Sequence, residues 1–112
     1  MSEIKPLTEQ IIKFRDDRDW QQFHNPKDLA LSLSLEASEL LELFQWKTSE
    51  EAVEINLDKM RDELADVITY ALLFANETGI DVVCAVQEKL KKNGEKYPVE
   101  KALGVSKKYT EL

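Results

Sequence analysis

From residue 26 to 46 the apolar positions Leu29, Leu33, Leu40 and Phe44 recur at helical spacing, and Leu31, Leu35, Leu41 and Leu43 widen the stripe. So broad a stripe predicts a helix with much of its surface buried. Asn25 supplies an N-cap, Pro26 suits the first helical position and Asp28 the positive helix end, so this helix is expected from about Pro26 to Trp46. A second long run covers roughly Leu57 to Glu77, with Met60, Leu64, Val67, Ile68, Ala71 and Leu72 inward and Gly79 as its stop. Between the two, Thr48-Ser49-Glu50-Glu51 reads as a capping box that opens a short connecting helix. Upstream, a helix starting near Thr8 carries Ile11, Ile12, Phe14 and Arg15 into a turn around Trp20–His24. Downstream, Asp81 caps a helix reaching about Tyr97, where Pro98 prevents continuation. Residues 99–112 are a polar tail, expected to be irregular or packed on a neighbour. The pattern predicts an all-α, four-helix bundle-like fold in a single domain over residues 1–112.

Composition bounds what such a fold can do. A chain of 112 residues, 43% hydrophobic and 33% charged, can bury one core but has little room for a deep private cleft. Symmetric association would relieve that shortage. The net charge of −7 and pI near 4.8 disfavour a nucleic-acid polymer as partner. An anionic substrate would need intervening cations. No apolar run approaches the ~20 residues of a membrane span, and the first residues lack the apolar stretch of a secretory signal. A cytoplasmic protein is expected. Cys84 lies in the apolar stretch Val82–Val86, where a buried, inert thiol is expected over a nucleophile.

The two central helices echo one another. Glu36-Ala37-Ser38-Glu39 and Glu63-Leu64-Ala65-Asp66 each set two carboxylates at i and i+3, so both side chains of a pair reach one spot. Each pair stands among apolar residues, Leu35 and Leu40 in one case and Leu64 and Val67 in the other. Four such carboxylates would repel one another and resist ionisation. A hard divalent cation resolves the conflict, and Mg²⁺ commonly joins carboxylates to substrate phosphates. A lone Glu-x-x-Glu is usually a solvated face; two pairs on successive apolar helices are not so easily dismissed. Asp62 and Glu42 extend the acidic set, Asp62 more naturally as an exposed neighbour of Arg61 and Glu42 as a lesser candidate ligand.

Two further clusters carry weaker signals. Lys89, Asn93, Lys96 and Tyr97 can share a face near the end of the fourth helix, with Lys91 and Lys92 beside them. Donors there could grip phosphate oxygens, although lysines are also favoured near any helix C-terminus. Trp20, Phe23 and His24 precede the second helix and Trp46 ends it, and a nucleobase could stack on such rings. Taken alone, these are more often core or interface residues.

Together these residues resemble the MazG-like, all-α nucleoside triphosphate pyrophosphohydrolases, and most nearly their dCTP pyrophosphatase branch. The likeness is carried by Arg18-Asp19-Trp20, Phe23-His24, Pro26, Glu36-Ala37-Ser38-Glu39-Leu40 and Glu42-Leu43-Phe44-Gln45-Trp46-Lys47. It continues through Asp62-Glu63-Leu64-Ala65-Asp66-Val67, Asn93, Tyr97-Pro98 and Lys108-Tyr109-Thr110-Glu111-Leu112, so it spans nearly the whole chain. The resemblance implies α–β cleavage of a nucleoside triphosphate, dCTP or a modified dCTP, to a monophosphate and pyrophosphate. By the same analogy Glu36, Glu39, Glu63 and Asp66 hold Mg²⁺, with Mn²⁺ an acceptable substitute, and form the catalytic set. Lys89, Asn93, Lys96 and Tyr97 secure phosphates, Trp20, His24 and Trp46 line the base pocket, and Tyr70 lies near the sugar. A homodimer or homotetramer with a shared pocket is also implied. The sequence departs from the animal dCTP enzymes at Ile11, where they carry a base-pocket histidine, and this leaves base preference open.

Two other readings compete. Di-iron carboxylate proteins build similar helical sites but add Glu-x-x-His motifs, and the only histidine, His24, lies outside both acidic pairs. A non-catalytic helical interaction module is the other, and it would be indifferent to replacement of Glu63.

Overall fold

The structure is a computed structural model, and it describes residues 3–112. All regular structure among them is helical, and the chain divides into two compact units, residues 1–80 and 81–112.

In the first unit α1 runs over Ile4–Asp16, α2 over Pro26–Glu42 and α3 over Ser49–Thr78, with a single 3₁₀ turn at Gln21–Phe23. The first helix begins before the expected Thr8. Pro6 falls in its first turn, where a missing N–H costs nothing. Thr8 sits inside the helix and donates its hydroxyl to the Ile4 carbonyl at 2.7 Å. The α2 start is as expected: Asn25 accepts from the Asp28 amide at 2.9 Å through its side-chain oxygen. Its end is not, because α2 stops at Glu42 and residues 43–47 wind through successive tight turns, with Trp46 at φ 65°. A left-handed residue cannot continue an α-helix.

The expected short connector and third helix are one element. Thr48 caps α3 by accepting from the Glu51 amide at 3.1 Å, and the helix then runs for 30 residues. Its one interior departure is Asn56, at φ −113° and ψ 17°. There the Asn56 side-chain amide donates to the Leu43 carbonyl at 3.0 Å, tying the kink to the end of α2. Gly79, at φ 70°, terminates the helix in the conformation only glycine adopts without penalty, and the Ile80 amide returns to the Ala75 carbonyl.

Leu43 pairs with Asn56, Glu36 and Glu39 with Glu63, and His24 with Tyr70. As one partner's number rises the other's falls, so α2 and α3 run antiparallel. The buried core is Leu29, Ala52, Leu72, Leu73 and Ala75. The expected burial of the wide leucine stripe is corrected here. Leu31, Leu35, Leu41, Leu64 and Ile68 are all exposed, and Leu41 keeps 70% of its surface. Periodicity marked the right apolar positions, but one chain does not cover both flanks of the helix pair. Alongside them is a groove of about 530 Å³ lined by Leu40, Leu57, Asp58, Met60, Arg61 and Leu64.

In the second unit Asp81 accepts from the Cys84 amide at 2.9 Å and opens α4, Val82–Lys96. The tail is more ordered than expected, with a one-turn α5 at Val99–Ala102 and a 3₁₀ turn at Tyr109–Glu111. The Tyr109 ring meets Tyr97 edge-on at 6.0 Å and lies 4.8 Å from the Lys96 ammonium. No residue of α4 is buried, so Cys84 is exposed and not the interior thiol its apolar neighbours suggested. Among the described residues no single helix is long and apolar enough to cross a membrane.

Candidate functional site

Helical spacing within α2 and antiparallel pairing with α3 bring the acidic motifs face to face. Glu36, Glu39 and Glu63 each offer a carboxylate oxygen, all within 4.8 Å of one another. Asp66, one turn along α3 from Glu63, stands outside that converging set and acts on it through charge. Glu42 and Asp62 are exposed and do not join it.

Electrostatics at this spot are unfavourable without a counter-charge. Burial pushes the Glu36 carboxyl up to about 7, helped by a hydrogen bond to Glu39 and by the charges of Glu39, Asp66 and Glu63. Glu63 is raised as well, first through its hydrogen bond to Glu39, then by burial and the charges of Glu39 and Asp66. Glu36 Oε2 and Glu63 Oε2 are buried with no hydrogen-bond partner. Among the described residues no lysine or arginine pairs with any of the four acids: Lys13 is engaged with Asp17, and Arg15 with Asp16 and Glu77. Buried acceptors without donors are costly. Oxygen ligands in this number and charge suit a hard divalent cation, so the residues present fit one.

Next to the acids stands Tyr70, one turn beyond Asp66. Its phenol is pushed up by burial and then by the charges of Glu36, Asp66 and Glu39. The Tyr70 ring meets His24 edge-on, with centroids 6.5 Å apart. Thus Tyr70 stands at the border of the carboxylate cluster, and His24 packs against its ring. Trp20 is drawn instead into a stack with Phe14, edge-on at 5.9 Å, over whose ring the Arg18 guanidinium sits at 3.6 Å. Among the described residues no ring contacts Trp46, which is 91% exposed on its left-handed turn. Lys89, Asn93, Lys96 and Tyr97 lie in the second unit. There Asn93 is half-buried, its carbonyl accepts from the Tyr97 amide, and Lys96 faces Tyr109.

Sequence reasoning overlooked the Arg15–Glu77 pair. Arg15 Nη1 donates to Glu77 Oε1 at 2.9 Å across 62 residues of chain. Helical spacing carries no trace of a partner so distant; a charged residue inside the apolar run of α1 was the one available hint.

The model of the MazG-like family matches residues 31–112 of the chain. The chain is 40% identical over 105 residues to dCTP pyrophosphatase 1 of Homo sapiens and 38% identical to that of Rattus norvegicus. These alignments cover 89% of this chain but 62% of the relatives, so the chain spans under two thirds of their length. A solved pyrophosphatase from Archaeoglobus fulgidus superposes with a TM-score of 0.82 at 38% identity. That match covers 88% of this chain and 94% of the archaeal one.

Proposed function

This chain belongs to the MazG-like family, and on that premise we propose that it is a metal-dependent nucleoside triphosphate pyrophosphohydrolase. The observation that carries the reading is the carboxylate cluster, with Glu36, Glu39 and Glu63 converging within 4.8 Å and two buried oxygens lacking partners. Mg²⁺ is the proposed cation, held by Glu36, Glu39, Glu63 and Asp66. When bound it neutralises the acids, offsets the triphosphate charge and lowers the pKa of a nearby water. The chain's own residues do the rest. A carboxylate of the cluster accepts a proton from the attacking water as its oxygen bonds to one of the two phosphorus atoms flanking the α–β bridge. The bond from that phosphorus to the bridging oxygen breaks, and the oxygen leaves with the other fragment. The products are a nucleoside monophosphate and pyrophosphate. Within the second unit, Lys89, Asn93, Lys96 and Tyr97 are the proposed phosphate-binding residues, with Lys96 and Asn93 as donors.

dCTP or a modified dCTP is the proposed substrate, a reading supported by the names of the relatives. His24 and Tyr70 form the wall of the base and sugar site, and Trp20 and Trp46 are its outer aromatic residues. The exposed apolar face of α2 and α3 supports a homodimer or homotetramer, since unpartnered patches of this kind mark association surfaces. Residues 1–112 then act as one domain, as the family match across both units suggests. The lone thiol suits a reducing, cytoplasmic setting.

The deciding experiment incubates the protein with each dNTP and NTP in the presence of Mg²⁺ and resolves the products. Monophosphate with pyrophosphate is expected, dCTP leading the deoxynucleotides. Orthophosphate release, or no turnover of any nucleotide, would overturn the proposal.

A further inference from the structure

Arg15 is 8% exposed and is the buried charged residue among those described. Its guanidinium is held on two sides: Nε donates to Asp16 Oδ1 at 3.0 Å with Nη2 2.9 Å from the same oxygen, and Nη1 donates to Glu77 Oε1 at 2.9 Å. This clamp joins the end of α1 to the last turns of α3. Within its electrostatic reach lies His24, the chain's single histidine, packed edge-on against Tyr70. Nδ1 of His24 is buried and has no hydrogen-bond partner.

A neutral imidazole carries one ring proton, and its neighbours decide which nitrogen holds it. On Nδ1 the proton would be a buried donor without an acceptor, set in the field of a fixed cation. A lone pair there is the cheaper arrangement, so the proton belongs on Nε2. We propose that Arg15, clamped by Asp16 and Glu77, is a positioning residue that fixes His24 as the Nε2–H tautomer, so that the pocket offers the nucleobase one fixed hydrogen-bond donor. The matching ligand edge carries an acceptor, such as a ring carbonyl or an unprotonated ring nitrogen. That His24 faces a ligand pocket, and that the ligand is a nucleobase, rests on the pyrophosphohydrolase reading; the tautomer does not. The charged and titratable groups facing the ring are Arg15 from α1 and Glu77 and Tyr70 from α3. Burial and then Arg15 hold the imidazole below its ordinary titration range, and Glu77 opposes them.

One histidine makes the test clean. Long-range proton–nitrogen correlation spectra of the untagged, ¹⁵N-labelled full chain, without nucleotide, report the tautomer and titration of His24 directly. The neutral Nε2–H form is expected at about pH 7 and above. In Arg15→Gln the ring should titrate at higher pH and show mixed tautomers. Glu77→Gln keeps an acceptor for Nη1 while removing the opposing charge, so its titration should move lower. With dCTP as probe, Arg15→Gln should raise KM about ten-fold, the scale of one lost hydrogen bond, with a smaller change in kcat. An Nδ1–H form in the native protein, or His24 titrations unmoved in both variants, would overturn the proposal. Should Arg15→Gln not fold, the native tautomer and the Glu77→Gln shift decide it. Failure of nucleotide turnover with the expected spectra sinks the enzymatic reading and leaves the tautomer standing; the reverse result sinks the tautomer alone.

Discussion

Glu36 and Glu63 face one another across the antiparallel pair α2 and α3, and each buries one carboxylate oxygen that no donor reaches. Both acids are therefore harder to ionise than ordinary surface glutamates, and this couples the site to stability.

The sign of that coupling follows from Glu36, whose carboxyl rises from 4.5 to about 7 on folding. A raised carboxyl gives the folded state the greater hold on the proton. Its contribution is complete below the unfolded value and is lost as pH rises through the folded one. The metal-free protein should accordingly melt at higher temperature near about pH 5 than near about pH 8. Millimolar Mg²⁺ should reverse this, raising the midpoint at the higher pH and doing little at the lower, where protons compete with the metal. Calorimetric scans with and without chelator measure both effects. Equal midpoints across this pH range would remove the buried carboxylate conflict.

Glu63→Gln separates stability from function. The amide keeps the shape of the side chain and removes one of the mutually repelling charges, so the metal-free protein should be as stable as the parent or slightly more so. Metal binding should weaken, and pyrophosphate release should fall by about 100-fold or more, since a cation ligand supplies several kcal/mol of charge stabilisation. Titration calorimetry with Mg²⁺ and a coupled pyrophosphate assay supply the two readings. Full activity in this variant would take Glu63 out of the site.

How much of this was legible in sequence depends on how far apart the partners lie. Asn25, Thr48 and Asp81 declared themselves as caps because each bonds an amide three residues away. The carboxylate pairs were readable for the same reason, their spacing being local to one helix turn. The continuous α3 was hidden because Asn56 settles its kink through the Leu43 carbonyl, 13 residues back. Arg15 and Glu77 were hidden by a still greater separation. Leu64 and Ile68 were misjudged for another reason: periodicity tells which face is apolar and is silent on what covers it.

That uncovered face sets the third expectation. Leu57 is 60% exposed and lines the groove with Leu40, Met60 and Leu64. Leu57→Asp should change the folding stability of the single chain by no more than about 0.5 kcal/mol, as exposed substitutions do. If the groove forms part of the oligomer interface, the same change buries a charge there and should dissociate the assembly to smaller species. Light scattering behind size exclusion measures the mass. An unchanged oligomer would move the interface to another face.

Trp46 offers the sharpest division between folding and function. It holds φ 65° with its indole almost wholly in solvent, so the fold gains little from the side chain and carries the cost of a left-handed backbone. For a residue with a Cβ that cost is roughly 1–2 kcal/mol, partly offset in glycine by the greater freedom of its unfolded chain. Trp46→Gly should therefore leave stability unchanged or raise it by up to about 1 kcal/mol. The indole's retention in a strained, exposed turn is explained if it meets a nucleobase, where stacking is worth about 1–3 kcal/mol. The variant should then show a KM for dCTP raised by about ten-fold to 100-fold, with a melting temperature no lower than the parent's. A lower melting temperature with unchanged KM would make Trp46 a structural residue and remove it from the base pocket.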